Sequence, residues 1–343
     1  RGLGDVYKRQ LYIAPEMLLT TSLETLLGGR RLGLFVVDEA HTVTSWGRDF
    51  RADYWFLGDY LERQRKNGLH FPVLCLTATA VYGGKDDVVQ DTISTLGLNQ
   101  PIQYLGRVRR DNIGFDIHPL DKQTDESRDE FKVNHVAQKI AEYVTEGKKT
   151  LVYCPFRSTV DSIYQAVPVA VKNRVRRYHA GMAKEEKNAA QEAFKNNSAT
   201  VMICTKAFGM GVDVPDIVQV YHYAPTGNLA DYVQEIGRCA RDKKLQGTAV
   251  EEYLPGDLSQ LKRLHGMGEL RQYQLREMLH KLYWMYSQKK HRNLLVSPDV
   301  FSYLFNSGEV ENRVKTGLLL LAKDLEEAYG FPVLVVRPKA MFT

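Results

Sequence analysis

The chain has 343 residues, 44% hydrophobic and 25% charged, with a formal net charge of +5. That length exceeds one ordinary hydrophobic core, so at least two domains are expected. No apolar run approaches bilayer length and no secretory segment is recognisable, so no membrane partner is expected.

Charge is unevenly distributed. From Leu254 onward there are 13 Lys/Arg against 9 Asp/Glu, while the rest of the chain is nearly balanced. The four cysteines, Cys75, Cys154, Cys204 and Cys239, form no C-x-x-C pair. Scattered thiols in apolar runs behave as small hydrophobes, so neither zinc nor a disulfide framework is expected, and a reducing cytoplasm fits.

In chain order, "RGLGDVYKRQ" (1–10) has no periodicity and reads as a non-native leader. "LGLFVVDEA" (32–40) and "FPVLCLTATA" (71–80) read as buried strands, separated by a helical segment, and "PIQYLG" (101–106) as a third. A charge-rich stretch, 121–130, reads as a linker closing a first domain of 11–120. A second α/β set, 131–254, follows. Its helix "HVAQKIAEYVTE" precedes the strands "TLVYC", "TVMICT", "VQVYHYA" and "GTAVEEYL". Apolar runs alternating with helices predict parallel sheets covered by helices.

Residues 255–343 read as a mainly helical C-terminal region. Leu275, Met278, Leu279, Leu282 and Tyr286 form one apolar stripe. The run Lys289-Lys290-His291-Arg292 reads as a solvated helix end, with a phosphate-contacting patch as the alternative. "FPVLVVRP" (331–338) reads as a buried strand.

The chemistry concentrates in two stretches. Asp38-Glu39-Ala40-His41 follows a buried strand, where open α/β sheets bind ligands. Phosphoanhydride hydrolysis needs Mg²⁺ to gather charge and a base to orient water, and two adjacent carboxylates can divide those tasks. Thr77 and Thr79 end the next strand. In "VMICTKAFGMGVDVPDIVQVYHYAPTGNLADYVQEIGRCARD" (201–242), Gly209 and Gly211 permit close backbone approach to a ligand. Arg238 and Arg241 are three apart, so on a helix they share a face, as an arginine-finger mechanism needs.

The ordered series resembles the motifs of a RecQ-like DNA helicase of helicase superfamily 2, over roughly residues 11–254. "VVDEAH" is similar to motif II, "LTATA" to motif III and "LVYCPFRSTVDSIYQAV" to motif IV. "YHAGM" resembles the element after motif IV, "ICTKAFGMGVDVPD" motif V, and "YVQEIGRCARD" motif VI. "YIAPEML" (12–18) is similar to a DNA-contacting motif. "AHTVTSWGRDFRADY" resembles the aromatic-rich loop that marks the RecQ-like branch. Its Trp46 and Phe50 suit base stacking, and Arg48 and Arg51 suit phosphates.

The resemblance implies two tandem RecA-like parallel-sheet domains, the first incomplete, and an ATP- and Mg²⁺-dependent helicase or translocase of the 3′–5′ type. Its partner would be single-stranded or partly duplex DNA, with protein partners through the C-terminal region. Asp38 would hold Mg²⁺ through water, Glu39 would be the general base, and His41 would couple the site to the aromatic loop. Thr77 and Thr79 would link nucleotide state to domain movement. Asp213 would approach the nucleotide sugar, Gly211 the nucleotide, and Gln234, Arg238 and Arg241 the phosphates. Arg157, Ser158 and Thr205 would face the DNA backbone.

Departures qualify this. Where the family's motif VI reads G-R-A-G-R-D-G, this chain has Cys239, Ala240 and Lys243 for A, the second G and the last G. The glycine-rich phosphate loop ending in Lys-Ser/Thr is missing, since "YGGKDD" and "EGKKT" fail its spacing. Without those backbone N–H groups the chain is expected to hydrolyse no ATP by itself, as an N-terminally shortened form of an active parent. A nucleic-acid-binding protein without ATPase activity, and a motor subunit of a restriction or phage-defence assembly, are the alternatives.

Overall fold

The computed structural model describes residues 10–43, 52–80, 82–83, 87–106, 109–121, 127–209, 213–227, 229–257, 270–305 and 310–336. The chain divides into two compact units, one of residues 1–105 with 268–343, the other of residues 106–267.

The second unit is a six-stranded parallel sheet. Its strands are β3 (Ile113–Pro119), β4 (Thr150–Tyr153), β5 (Val175–Tyr178), β6 (Val201–Cys204), β7 (Gln219–His222) and β8 (Gly247–Tyr253). Their order across the sheet is β3-β8-β7-β4-β6-β5. β4, β6 and β7 are buried at every position, as a sheet covered on both faces demands. Alternation along β4 sends Val152 and Cys154 into one core with Val136, Ile140 and Ile163. Leu151 and Tyr153 go to the opposite core with Phe194, Met202 and Val220. Helix Arg128–Thr145 covers the first face, and its N-terminus is capped by the Ser127 side chain accepting from the Glu130 amide. The sheet changes winding direction beside β4, so the carboxyl ends of β4, β6 and β7 form the natural ligand-facing rim.

In the first unit, β1 (Phe35–Val37) and β2 (Val73–Cys75) pair in parallel, Val36 opposite Leu74. Helix Ala52–Lys66 packs Leu57 and Leu61 into a core with Leu18, Leu23, Val37 and Leu96. The C-terminal residues add helices Gln272–Lys289 and Val310–Tyr329 around Met278, Phe301, Phe305, Val314 and Leu321. Helix 310–329 packs on helix 52–66, so the C-terminal helices are part of this unit.

Two expected strands are not formed. Residues 101–106 are irregular, with Ile102 and Tyr104 largely in solvent, and the strand instead forms at 113–119. That segment finds β8 as a ladder partner, and a partner rather than apolar content makes a strand. Residues 331–336 likewise pair as a strand with nothing among the described residues, and Phe331, Val333 and Val335 are exposed. Of the expected linker, residues 122–126 lie outside the described residues and helix 128–145 starts within its end, while β3 precedes it inside the second unit.

Candidate functional site

β1 ends at Val37, and the chain turns through Asp38 and Glu39 into a 3₁₀ turn, Ala40–Val43. Glu39 adopts a left-handed backbone with φ of 49°, and the Asp38 carboxylate accepts its amide at 3.0 Å. The turn is locked to β2's exit: the Leu76 amide donates to Val37 and the Ala40 amide to Leu76, both at 2.9 Å. His41 is buried beneath it. Its Nδ1 lies 2.9 Å from Thr77 Oγ1, 3.1 Å from Thr79 Oγ1 and 3.4 Å from Glu39 Oε2. One imidazole thus joins the acid pair to both threonines. Asp38 is exposed at the strand end, a hard oxygen donor suited to Mg²⁺ held largely by water and phosphate. Trp46, Arg48, Phe50 and Arg51 lie outside the described residues, as does Gly211.

In the second unit the candidate residues gather at the rim. The loop after β6 is fixed by the Thr205 amide donating to the Tyr178 carbonyl at 3.2 Å, and by Phe208 sunk in the core. The Tyr153 hydroxyl, on β4, donates to the Phe208 carbonyl at 3.1 Å. Burial holds this phenol far above its ordinary pKa, so it stays a donor. The next residue, Gly209, lies under Arg238. A Cβ there would come within 2.5 Å of the Arg238 guanidinium, so the absence of a side chain lets the arginine lie on the loop. Lys206 pairs with Asp231, tying the same loop to helix Leu229–Ile236.

Arg238 and Arg241 do not share a helical face. Helix 229–236 ends before them, and Ala240 takes a φ of 47°. Arg238 lies over Gly209 while Arg241 Nη1 donates to Asp213 Oδ1 at 2.8 Å, so both arginines meet the loop after β6 from an irregular turn. The left-handed φ gives the physical sense of the glycine usual at that position. Ala240 is held there by its amide donating to Ile217 at 2.7 Å and its carbonyl accepting from Arg110 and Asn112. Ala240→Gly is expected to stabilise the second unit by about 1 kcal/mol by relieving that conformation, read as a higher urea midpoint at unchanged slope.

Arg157 and Ser158 open helix Arg157–Ala166 directly after β4, and both are exposed. The same helix places Asp161 against Arg177 and 3.3 Å from His179 Nε2. The Gly181 amide donates to His179 Nδ1 at 3.2 Å, which leaves the ring proton on Nε2, facing Asp161. Residues 178–182 and the start of this helix are therefore one assembly. Gln234 is half-buried on helix 229–236.

Sequence reasoning missed what holds that helix. His222 at the end of β7 is buried and its Nε2 meets Glu235 Oε2 at 2.8 Å, with the Tyr153 ring stacked on the imidazole. The available signal was one histidine late in a strand-like run and one glutamate in a mixed helix. Tyr153, His222 and Glu235 thereby link β4, β7, the helix bearing Gln234 and the loop under Arg238.

Comparison with known proteins supplies the frame. Residues 132–243 match the helicase conserved C-terminal domain family. The chain is 34% identical over 247 residues to the probable ATP-dependent DNA helicase RecS of Bacillus subtilis, covering 72% of this chain and 46% of that protein. It is 30% identical over 259 residues to the ATP-dependent DNA helicase RecQ of Pasteurella multocida, covering 74% and 37% respectively. It thus spans less than half the length of these curated relatives. Among solved structures, the DUF1998 helicase MrfA bound to DNA and AMPPNP superimposes with a TM-score of 0.51 at 17% identity, over 68% of this chain and 32% of that one. That likeness concerns the fold alone.

Proposed function

We propose, from the premise that this chain is a RecQ-like member of helicase superfamily 2, that it carries most of the catalytic groups of an ATP-dependent DNA helicase or translocase. The observation that carries the reading is His41, whose single nitrogen meets Glu39, Thr77 and Thr79. A solvated acidic turn has no need of that junction; a site that must report its occupancy to its surroundings does.

In this reading Asp38 holds Mg²⁺ through water and Glu39 orients and deprotonates the attacking water. Mg²⁺ would supply charge neutralisation on the phosphate oxygens. Arg238 and Arg241 add fixed positive charge where it develops in the transition state, and Gln234 contributes a hydrogen bond toward the phosphates. Asp213 approaches the nucleotide's sugar and Gly211 contributes to nucleotide binding, and the ion pair of Asp213 with Arg241 is exchanged when nucleotide arrives. Arg157, Ser158 and Thr205 meet the DNA backbone, while Trp46, Phe50, Arg48 and Arg51 sense the strand by stacking and charge.

The sequence holds no glycine-rich loop to cradle β- and γ-phosphates, so the chain alone binds single-stranded DNA without turning over ATP. The check is a coupled ATPase assay beside anisotropy of a labelled oligothymidylate. Expected are no turnover above buffer and saturable binding that weakens in Arg157→Ala. DNA-stimulated turnover by this polypeptide would overturn the first expectation, and absence of oligonucleotide binding the second.

A further inference from the structure

Helix 272–289 turns two unlike faces outward and inward. Gln274 and Met278 are buried, and Leu275, Leu279 and Leu282 pack beside them against Phe301 and Phe305. At 100° per residue the opposite side carries Tyr273, Arg276, His280, Tyr283 and Trp284. Those side chains are in solvent: Tyr273 is 47% exposed, Tyr283 70% and Trp284 54%. Lys281 sits beside them with Nζ 4.8 Å from the Trp284 ring centre.

Three aromatic rings on one water-facing stripe require an explanation, because folding gains nothing from leaving them there. A protein-docking face also enriches Tyr, Trp and Arg, but it is depleted of lysine at its centre, whereas here Lys281 sits at the Trp284 ring. This stripe has no aliphatic residue; Arg276 stands between Tyr273 and the Tyr283–Trp284 pair, His280 faces Glu277 at 4.0 Å beside it, and Lys281 lies at the Trp284 ring. Glu277 is the single acid of the helix, against Arg276, Lys281 and Lys289, with Arg271 before it and Lys290 and Arg292 beyond. π-faces interleaved with positive charge complement a ligand that is both aromatic and polyanionic. From Tyr273 to Trp284 the stripe runs about 16 Å, enough for several nucleotides.

We propose that this face of helix 272–289 is a binding platform for single-stranded nucleic acid, bases stacking on Tyr273, Tyr283 and Trp284 and phosphates meeting Arg276 and Lys281. It goes beyond the functional reading above, assigning a contact outside the whole motif series and sharing with it only the class of ligand. Stacking does not read the sugar, so the platform accepts DNA and RNA strands alike and disfavours a closed duplex.

The test uses the full chain and anisotropy with labelled oligothymidylate, oligouridylate and a blunt duplex. Trp284→Ala and Tyr283→Ala should each weaken both single strands by about fivefold or more, and Trp284→Phe should retain most of the affinity. Arg276→Ala should lower the slope of log affinity against log salt by about one. All are surface changes, and an unaltered thermal midpoint verifies that each variant is folded. Affinity unchanged in both aromatic variants overturns the platform and marks the face as a protein-docking surface, as does an equal loss for duplex. If Arg157→Ala still weakens binding in that case, the motor reading stands; if it too has no effect, both fall. A chain that binds neither oligonucleotide overturns the platform outright.

Discussion

Asp257→Ala is expected to destabilise the second unit by about 3–5 kcal/mol, the cost of leaving a buried charge without its partner. Asp257 is 1% exposed and receives Lys132, Arg128 and, at 2.8 Å, the Leu254 amide. Lys132 is equally buried, with Nζ 4.8 Å from the Tyr223 ring centre. Burial pushes the ammonium's pKa down and Asp257 holds it up. Once the carboxylate is gone, burial and the charge of Arg128 are opposed by Glu251 alone, so the folded variant sheds the proton more readily than the unfolded chain. The variant's deficit should therefore shrink as pH rises. Urea unfolding at neutral and alkaline pH measures both effects. Replacing Lys132 and Asp257 together with methionine and leucine should recover much of the loss, since a buried pair is dearer to break than to replace. A single variant as stable as the parent chain would refute the assignment.

Glu252→Gln should flatten the acid limb of the stability curve. The Glu252 carboxylate, on β8, accepts His135 Nε2 at 2.7 Å, His118 Nε2 at 3.1 Å and the Tyr221 hydroxyl at 2.9 Å. Burial raises its pKa, but the hydrogen bonds from His135 and Tyr221 and the charges of His135 and Lys139 together outweigh it, leaving it at about 2. Asp116 faces His118 from β3, and Glu142 pairs with Lys139 on helix 128–145. A depressed carboxylate contributes stability that is full above its ordinary value of 4.5 and is lost as pH falls toward 2. The span corresponds to about 3 kcal/mol, an order-of-magnitude figure. Unfolding free energies across that acid window should fall steeply for the parent chain and by about 3 kcal/mol less for the variant. Parallel curves would refute it.

The sequence revealed some features and hid others for identifiable reasons. Strands β4 and β6 were legible because full burial leaves a mainly apolar run, and β7 and β8 because short apolar stretches bounded by polar residues follow the same alternation. The Asp38–His41 turn and the Gly209 loop were legible because each interrupts an apolar strand with acidic or glycine residues at close spacing. The placement of Arg238 and Arg241 was not: spacing of three suggests a helical face, whereas Ala240's left-handed turn ends that possibility. Residues 101–106 and 331–336 misled because an apolar run gives no indication of whether another strand is waiting. The Lys132–Asp257 pair stayed hidden because it joins segments 125 positions apart, and the His222–Glu235 pair because it joins a strand end to the following helix, an orientation only the fold supplies.

The pairing of β3 with β8 has a consequence for how the molecule is made. β3 lies at the sheet edge, and its neighbour in that sheet is the strand formed last along the chain, with partners such as His118 and Glu252 separated by 134 positions. During synthesis the first strand of the unit must wait, unpaired, until the entire remainder has emerged. Phe115 and Ile117, more than half exposed even in the finished fold, spend that interval uncovered. Closure of the sheet is thus a late, long-range event, and the nascent chain is most exposed to mispairing with its neighbours on the polysome just before Tyr253 appears.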